Sequence, residues 1–485
     1  MANIRRALVF ASVGRYASRG VNLAMTVILA RLMDPGEFGV AVVGVSSFLI
    51  LDAIRELASV NYLVQQKELS QDKINSAFTV SFTITVCLTL AVLALAVPIA
   101  GLYGEPRLAN YIYIATIGFA LGPFMQPIYA LWSRSLSFKT IATMDIIGAL
   151  TSAISSITLV WLGFSYIGLA WGSTISALVG VSVAVWLSRR QLSMYRFSLK
   201  EWRGVLAFGL YGSATAIIYR VSDAVAFLVL GKVLNTYSVG LLQRAITLAT
   251  FTETFILAGV NAITLPAFSH KARSGEDLRQ IYLKAISYIT AVQWPALAFI
   301  STMALPLTLV VLGPRWIEVA PVAQLLALAL MFNFGITLNF PILVAVGAIS
   351  KTWPTAVIQA VLTQAVLIWS ARYGLTAVAL SGFITVPASL VLWTTLVRKH
   401  VRVPLLELFG ALGQSVVVLA GSAVGPVAIL IYRNGQPTII DAALAAVLAA
   451  IGWLFAIFLS RHPFASEIVK AKNAVHRWRS NRADS

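Results

Sequence analysis

Residues 77–100 read AFTVSFTITVCLTLAVLALAVPIA and contain no charged side chain. A helix needs about 20 apolar residues to cross roughly 30 Å of hydrocarbon, so this stretch is long enough to span a bilayer. Similar blocks recur along the 485-residue chain and are separated by short polar connectors. The alternating segments of about 10 residues that are typical of a membrane β-barrel are not found. Because lipid offers the backbone no hydrogen bonds, the pattern predicts an all-α polytopic membrane protein.

The composition excludes a water-soluble chain of this size. Charged residues make up 11% of the sequence and hydrophobic residues 59%, whereas a soluble domain carries roughly 25% charged residues. The net charge of +18 does not indicate a nucleic-acid partner, because the basic residues are spread over alternate connectors. Cys87 is the single cysteine, and no spacing of Cys and His residues indicates a metal site. Four histidines lie in polar connectors and are predicted to be solvated: His270, His400, His462 and His476.

The apolar blocks predict about fourteen transmembrane helices. Of the 36 Lys and Arg residues, four lie well inside these spans, six lie in one set of connectors, and 26 lie in the tail and the opposite set of connectors, with Arg55 at a span end counted among the 26. Cytoplasmic loops carry the excess of Lys and Arg, so both termini are predicted to be cytoplasmic. The predicted spans are 7–30, 38–60, 75–100, 109–131, 141–162, 166–188, 205–231, 239–262, 285–311, 319–347, 354–371, 375–397, 407–432 and 439–460.

An internal repeat relates the two halves of the chain. Three charged pairs coincide at an offset of 201 positions: Arg19 with Arg220, Arg31 with Lys232, and Asp52 with Glu253. Each repeat holds six spans, so the copies are parallel, as in transporters whose two lobes bind substrate between them. The predicted domains are an N-lobe at 1–204, a C-lobe at 205–404, two additional spans at 405–460 and a basic cytoplasmic tail at 461–485.

Arginines inside the spans are the candidate substrate contacts. Arg or Asp at a helix centre costs about 2.5–3.5 kcal/mol on insertion, so such groups are expected to face a partner or a wet cavity. Arg15 and Arg19 are four residues apart and share one helix face. Guanidinium groups bind phosphate oxygens bidentately. A cationic substrate-binding cavity is therefore predicted from Arg15, Arg19, Arg220 and Arg244.

Other interpretations of these charges stay open. Arg220 and Asp223 could form an internal ion pair, and Arg19 could pair with Asp52 or Glu253. Arg244 lies near the outer end of its span and could reach the interface instead. The acids Asp52, Asp223 and Glu253 are candidates either for ion pairs or for coupling to Na⁺ or H⁺, and no other cofactor is predicted.

Three short motifs occur in order along the chain: ARLMDPGEFG at 30–39, YSVGLLQRA at 237–245 and LGPRW at 312–316. Together they resemble the polysaccharide transporter family, the Wzx-type flippases, which are related to MATE exporters and lipid II flippases. The resemblance implies two six-helix lobes in a V shape. It also implies transport of undecaprenyl-diphosphate-linked oligosaccharide across a bacterial inner membrane for exopolysaccharide or O-antigen synthesis. The implied partners are that lipid-linked cargo, membrane lipids, and the polymerase and chain-length proteins of such a pathway.

Two alternative functions predict different charged side chains inside the membrane. A MATE-like exporter of organic cations needs acids in its cavity with few opposing arginines. A non-transporting scaffold has little reason to keep arginines at mid-depth. The sequence contains no P-loop and no catalytic set of Ser, His and carboxylates, so it does not predict an enzyme.

Overall fold

The computed structural model describes residues 2–55, 60–212, 214–255, 264, 268–269, 271–274, 276–348, 351–470 and 473. Every regular element in these residues is helical. Short π- or 3₁₀-helical turns lie at Val160–Phe164, Arg189–Tyr195, Pro314–Trp316 and Met331–Gly335. The α-helices are α1 (Ala2–Leu32), α2 (Pro35–Arg55), α3 (Val60–Gln65), α4 (Gln71–Tyr103), α5 (Arg107–Ala120), α6 (Gly122–Arg134), α7 (Phe138–Leu159), α8 (Ser165–Leu187), α9 (Trp202–Gly212), α10 (Ala214–Val233), α11 (Thr236–Ala249), α12 (Phe251–Phe255), α13 (Leu278–Thr302), α14 (Ala304–Val311), α15 (Val319–Leu330), α16 (Ile336–Ala345), α17 (Thr352–Ala371), α18 (Leu375–Val401), α19 (Leu405–Tyr432) and α20 (Ile439–Leu459).

In the part of the chain that the structure describes, each predicted span falls on one helix or on consecutive helices, so the all-α membrane architecture is confirmed. Within the described residues, nine helical stretches are long and apolar enough to cross a membrane, or ten if the bent pair α5 and α6 counts as one span. Helix α1 is not among them, because five arginines lower its mean hydropathy. The count of fourteen crossings therefore stays a prediction.

The chain forms two compact units that divide between Leu241 and Leu242. The repeat predicts a lobe boundary at residue 205 instead. Helices α9 and α10 are grouped with the first unit, where α10 packs along α2. Gly231 permits this approach, since a Cβ atom there would lie 2.9 Å from Val43 Cγ2. The division into lobes by the repeat stays a prediction.

Two glycines of the first unit make a backbone-to-backbone crossing. A Cβ atom on Gly39 would overlap the Thr236 carbonyl, and a Cβ atom on Gly240 would overlap the Pro35 carbonyl. Gly39 and Gly240 are separated by the repeat offset of 201 positions, and so are Pro35 and Thr236. The two contacts are therefore equivalent under the repeat, as in a self-complementary two-fold interface.

Helices α7 and α8 form a tight antiparallel hairpin in the first unit. Gly163 lies in the π turn between them with φ 92°, a conformation that only glycine adopts without strain. Ser176 Oγ donates to the Gly148 carbonyl at 2.9 Å, which joins the middles of the two helices. Gly172 lets the helices approach, because a Cβ atom there would overlap the Ser156 side chain.

We expect Gly172→Val to destabilise this hairpin. The added side chain has no space between packed helices, and overpacking of this kind costs about 1–3 kcal/mol. Thermal unfolding of the detergent-solubilised protein should show a lower midpoint. Gly20→Val is the control, because no atom lies within 4 Å of a Cβ atom at that position. Equal midpoints for the two variants would contradict the prediction.

A proline inside a helix leaves the carbonyl group one turn earlier without its backbone hydrogen bond, and in α13 a side chain of another helix donates to that carbonyl. Pro295 in α13 lacks the amide hydrogen that would bond to the Ala291 carbonyl one turn earlier. Trp453 Nε1 of α20 donates to that carbonyl at 2.7 Å. This bond satisfies the freed group and ties α20 to α13 within the second unit.

His462 corrects the prediction that the histidines are solvated. It follows α20 and is only 1% exposed, because the chain folds back against α19. Its Nδ1 accepts a hydrogen bond from the Phe464 amide at 3.1 Å, and its Nε2 lies 3.2 Å from Ser415 Oγ. His400 is exposed, as predicted. His270 and His476 lie outside the described residues.

We expect protonation of His462 to destabilise the second unit. Burial lowers the pKa of His462 below its ordinary value of 6.5. A histidine whose pKa is lowered on folding stabilises the protein above its unfolded pKa and loses this effect as the pH falls through the folded pKa. The thermal midpoint should therefore fall as the pH drops below about 6.5. His462→Asn, which retains an acceptor for the Phe464 amide, should make this fall smaller; an unchanged pH profile would contradict the prediction.

Candidate functional site

Helix α1 carries the first two candidate arginines. Arg15 is exposed and Arg19 is half-buried. Helix α1 contains no acidic residue between Ala2 and Leu32. The Arg19 guanidinium lies 5.9 Å from the centre of the Tyr16 ring. These two cations are therefore part of a helix whose own sequence offers them no carboxylate.

A cavity of about 450 Å³ lies beside α1 within the first unit. Ser18 and Asn22 line it from α1, and Asp145 lines it from α7. The Tyr129 hydroxyl donates to Asp145 Oδ1 at 2.6 Å. Asp145 lies near the cytoplasmic end of its predicted span and was not among the site residues predicted from the sequence. Its partner Tyr129 lies on another helix and leaves no signal in the local sequence.

Arg55 is a second residue that sequence reasoning placed in a connector. It is the last residue of α2, and it pairs with Asp52 one turn earlier. Its Nη1 also donates to the Phe119 carbonyl at 3.1 Å. Pro123 explains why that carbonyl is available, because proline lacks the amide hydrogen that would bond to it. Gly122 supplies the space, since a Cβ atom there would overlap the guanidinium.

Arg220 on helix α10 lies near the Asp52–Arg55 pair. Arg220 is exposed, and its charge acts on Asp52 together with that of Arg55. Two guanidinium groups therefore share one carboxylate. Asp223 is also exposed, and among the described side chains it forms no ion pair with Arg220. The role of Asp223, as an ion-pair partner or as a coupling site, stays a prediction.

The two remaining candidates lie in the second unit. Arg244 on α11 is 4% exposed, and its guanidinium lies 5.6 Å from the centre of the Trp316 ring. This burial favours a packing role for Arg244. Contact between Arg244 and the substrate stays a prediction. Glu253 on α12 accepts hydrogen bonds from Gln293 Nε2 at 3.0 Å and from Asn333 Nδ2 at 2.7 Å. Glu253 is thus bound by neutral amides.

The part of the chain that the structure describes holds no group of three or more His, Cys, Asp or Glu side chains that could bind a metal ion. The chemistry available at the candidate residues is charge recognition. Guanidinium groups bind phosphate or carboxylate oxygens and keep their charge at every working pH.

Comparison with known proteins gives consistent matches. The profile of the polysaccharide biosynthesis protein family matches residues 28–321, more than half of the chain. The succinoglycan biosynthesis transport protein ExoT of Rhizobium meliloti is 25% identical over 357 residues, 73% of this chain and 72% of that protein. The lipopolysaccharide biosynthesis protein WzxC of Escherichia coli is 25% identical over 313 residues, 63% of each chain. A solved structure of the lipid II flippase MurJ in an inward closed conformation has a TM-score of 0.79 at 14% identity, covering 93% of this chain and 99% of that one, and this likeness shows the fold alone.

Proposed function

The chain belongs to the polysaccharide biosynthesis protein family, and from this premise we propose that it flips a lipid-linked oligosaccharide across the bacterial inner membrane. The cargo is an oligosaccharide repeat unit on undecaprenyl diphosphate, and its translocation supplies exopolysaccharide or O-antigen synthesis. Relatives named for succinoglycan transport and for lipopolysaccharide biosynthesis support this assignment. The chain is a transporter rather than an enzyme.

The excess of guanidinium groups in the first unit carries the proposal. Arg55 and Arg220 share the single carboxylate of Asp52. Over the whole first unit, residues 1–241, the sequence has 18 Lys and Arg residues against 10 Asp and Glu residues. A surplus of fixed positive charge attracts a diphosphate and repels an organic cation, so it favours a lipid-linked sugar over the substrates of a MATE-like exporter.

In the proposed mechanism, the diphosphate and glycan enter from the cytoplasmic side while the prenyl chain stays in lipid. Arg15, Arg19 and Arg220 bind the diphosphate oxygens, and Arg55 adds to the local positive potential. Rocking of the two lobes, 1–204 and 205–404, then exposes the head group on the outer side. An inside-negative potential favours outward movement of the anionic head by about 2.3 kcal/mol per charge per 100 mV. Na⁺ or H⁺ returns the empty carrier to its starting state.

The remaining parts of the proposal concern the ends of the chain. Both termini lie in the cytoplasm, in agreement with the Lys and Arg bias. Helices α19 and α20 follow the repeat and provide a surface for the long prenyl chain. The polymerase and chain-length proteins of the pathway receive the flipped repeat unit on the outer side.

A reconstituted flipping assay tests the proposal. The full chain in proteoliposomes should expose an undecaprenyl-diphosphate-linked oligosaccharide to a membrane-impermeant glycan-binding probe faster than protein-free vesicles do. Undecaprenyl-diphosphate without sugar and a neutral prenol should serve as competing cargoes. Faster export of fluorescent organic cations, without any movement of the lipid-linked sugar, would overturn the proposal in favour of a MATE-like function.

A further inference from the structure

The connector between α8 and α9 combines basic side chains with exposed apolar ones. Residues 188–203 include five Lys or Arg residues and a single acid, Glu201. Phe197 and Leu199 in this connector, and Trp186 just before it, are each more than half exposed. The Lys and Arg bias of the sequence predicts that the connector faces the cytoplasm. Cations interleaved with exposed aromatic and aliphatic groups are typical of a segment that lies at a membrane surface.

This connector is bound tightly to the first unit. The Met194 side chain is only 1% exposed. The Tyr195 hydroxyl donates to the Phe124 carbonyl of α6 at 2.8 Å, and the Ser198 amide donates to Thr79 Oγ1 of α4 at 2.9 Å. Because these bonds fix the backbone, the outward-facing side chains are held in place before any ligand arrives. Such preorganisation lowers the entropic cost of binding.

A cavity of about 840 Å³ lies beside the start of the connector. Its walls come from the end of α6, the turn before α7, the end of α8 and the 3₁₀ turn at Arg189–Tyr195. Arg134 and Arg189 line it, together with leucine and tryptophan side chains and the serines Ser135, Ser137 and Ser188. Guanidinium groups and hydroxyls are donors for phosphate oxygens, whereas the apolar side chains suit a hydrocarbon chain.

The two arginines bring positive charge that no carboxylate neutralises within the described residues. Arg134 donates to the backbone carbonyls of Leu63 and Lys67, both at 3.1 Å, so its hydrogen-bond partners are neutral. The Arg189 guanidinium lies 5.9 Å from the centre of the exposed Trp186 ring. The cavity therefore favours an anionic ligand.

The exposed apolar side chains beside the cavity indicate which anion fits. Arg203 and Trp202, at the far end of the connector, repeat the pairing of a cation with an exposed tryptophan, at 5.5 Å. Inorganic phosphate has no apolar part that could cover Phe197 or Leu199. An anionic phospholipid offers a phosphate to the arginines and acyl chains to these side chains. Basic pockets between membrane helices on the cytoplasmic side bind such head groups in other proteins.

We propose that the connector 188–203 and the cavity beside it bind an anionic phospholipid of the cytoplasmic leaflet, with the lipid phosphate at Arg189. The site is separate from the arginines of α1 and α10 that are proposed to bind the cargo. This inference goes beyond the proposed function, because binding of the phospholipid requires neither the cargo nor its movement. The two proposals can therefore fail independently.

Lipid titrations of the purified full chain in detergent, followed by native mass spectrometry, test this site without any cargo. Phosphatidylglycerol is the probe, phosphatidylcholine is the neutral comparison, and inorganic phosphate is the competitor. Arg189→Gln removes the charge at the cavity, whereas Gln191→Trp keeps the charge and fills part of the cavity. Arg273→Gln is the matched control, since it removes an exposed cation from another connector of the predicted cytoplasmic set.

The wild type should bind phosphatidylglycerol about tenfold more tightly than phosphatidylcholine. Arg189→Gln should weaken phosphatidylglycerol binding about fivefold, Gln191→Trp should weaken it as well, and Arg273→Gln should match the wild type. Equal affinities for the two lipids would overturn the proposal, and so would inorganic phosphate that competes as well as phosphatidylglycerol itself.

Equal phosphatidylglycerol affinity in the wild type and in both cavity variants would also overturn the proposal. Gel filtration and circular dichroism establish that each variant is folded. Gln191 is exposed, so its substitution opens no packed core. Gln191→Trp therefore supplies the comparison with the wild type should Arg189→Gln fail to fold.

Discussion

The double variant Arg19→Gln/Arg220→Gln is expected to flip a diphosphate-linked oligosaccharide about a hundredfold more slowly than the wild type. A hydrogen bond to a charged group contributes roughly 1.5–3 kcal/mol, and about 1.4 kcal/mol corresponds to a factor of ten. Arg19 is half-buried and Arg220 is exposed, so neither substitution opens a packed core. The measurement is the initial rate at which the glycan becomes accessible on the far side of proteoliposomes.

Charge and geometry can be separated with a second pair of substitutions. Lysine keeps the positive charge and loses the bidentate geometry, so Arg19→Lys/Arg220→Lys should recover part of the rate. Arg372→Gln is the matched control, because it removes an exposed cation between α17 and α18. A wild-type rate in the double glutamine variant, at equal protein content, would show that these residues do not recognise the cargo. Membership of the family would be unaffected by that result.

The helices were predictable because lipid imposes one rule on every span. The uncharged stretch 77–100 becomes α4, which the structure extends to Gln71–Tyr103. The 41° bend between α5 and α6 was not predictable from hydropathy, since Gly122 and Pro123 lie in a continuous apolar block. The Arg55 guanidinium lies at this bend and donates to the Phe119 carbonyl, and the two residues are 64 positions apart in the chain. The local sequence shows that Pro123 leaves the Phe119 carbonyl without a backbone donor. It does not show that Arg55 donates to that carbonyl.

The candidate site was predictable only where charge marks it. An arginine or acid inside an apolar span is visible in any sequence, and Arg19, Arg220 and Glu253 are such residues. The partners of Glu253 are neutral amides, 40 and 80 residues farther along the chain. Neutral amides change hydropathy little, and their convergence depends on helix packing. His462 was misjudged for the same reason, because its burial follows from the fold and not from its polar neighbours.

Two segments that the repeat aligns also meet in the structure. Arg31–Gly39 aligns with Lys232–Gly240 at the offset of 201 positions. The two glycines that end these segments meet where α2 crosses the N-terminal part of α11. The basic bias predicts that these connectors face outward. If the proposed orientation holds, we expect the Gly39–Gly240 crossing to close the outer side of the first unit and to separate when cargo leaves.

Gly240→Val is expected to weaken closure at this crossing. A valine Cβ would overlap the Pro35 carbonyl, and backbone cannot yield as a flexible side chain can. Overpacking costs about 1–3 kcal/mol, enough to raise the open population by about tenfold. Polymer export should fall sharply, because a carrier that does not close outward cannot be reloaded from inside.

Cysteine labelling measures this opening directly. Cys87 is the single cysteine, so Cys87→Ser gives a clean background for Val43→Cys at a fully buried position beside Gly231. A membrane-impermeant maleimide added outside should label that cysteine about tenfold faster when Gly240→Val is present. Gly101→Val is the control, since its Cβ position on α4 has no atom within 4 Å. Equal labelling rates with and without Gly240→Val would mean that the crossing is a static contact, and the outer closure would then have to lie elsewhere in the chain.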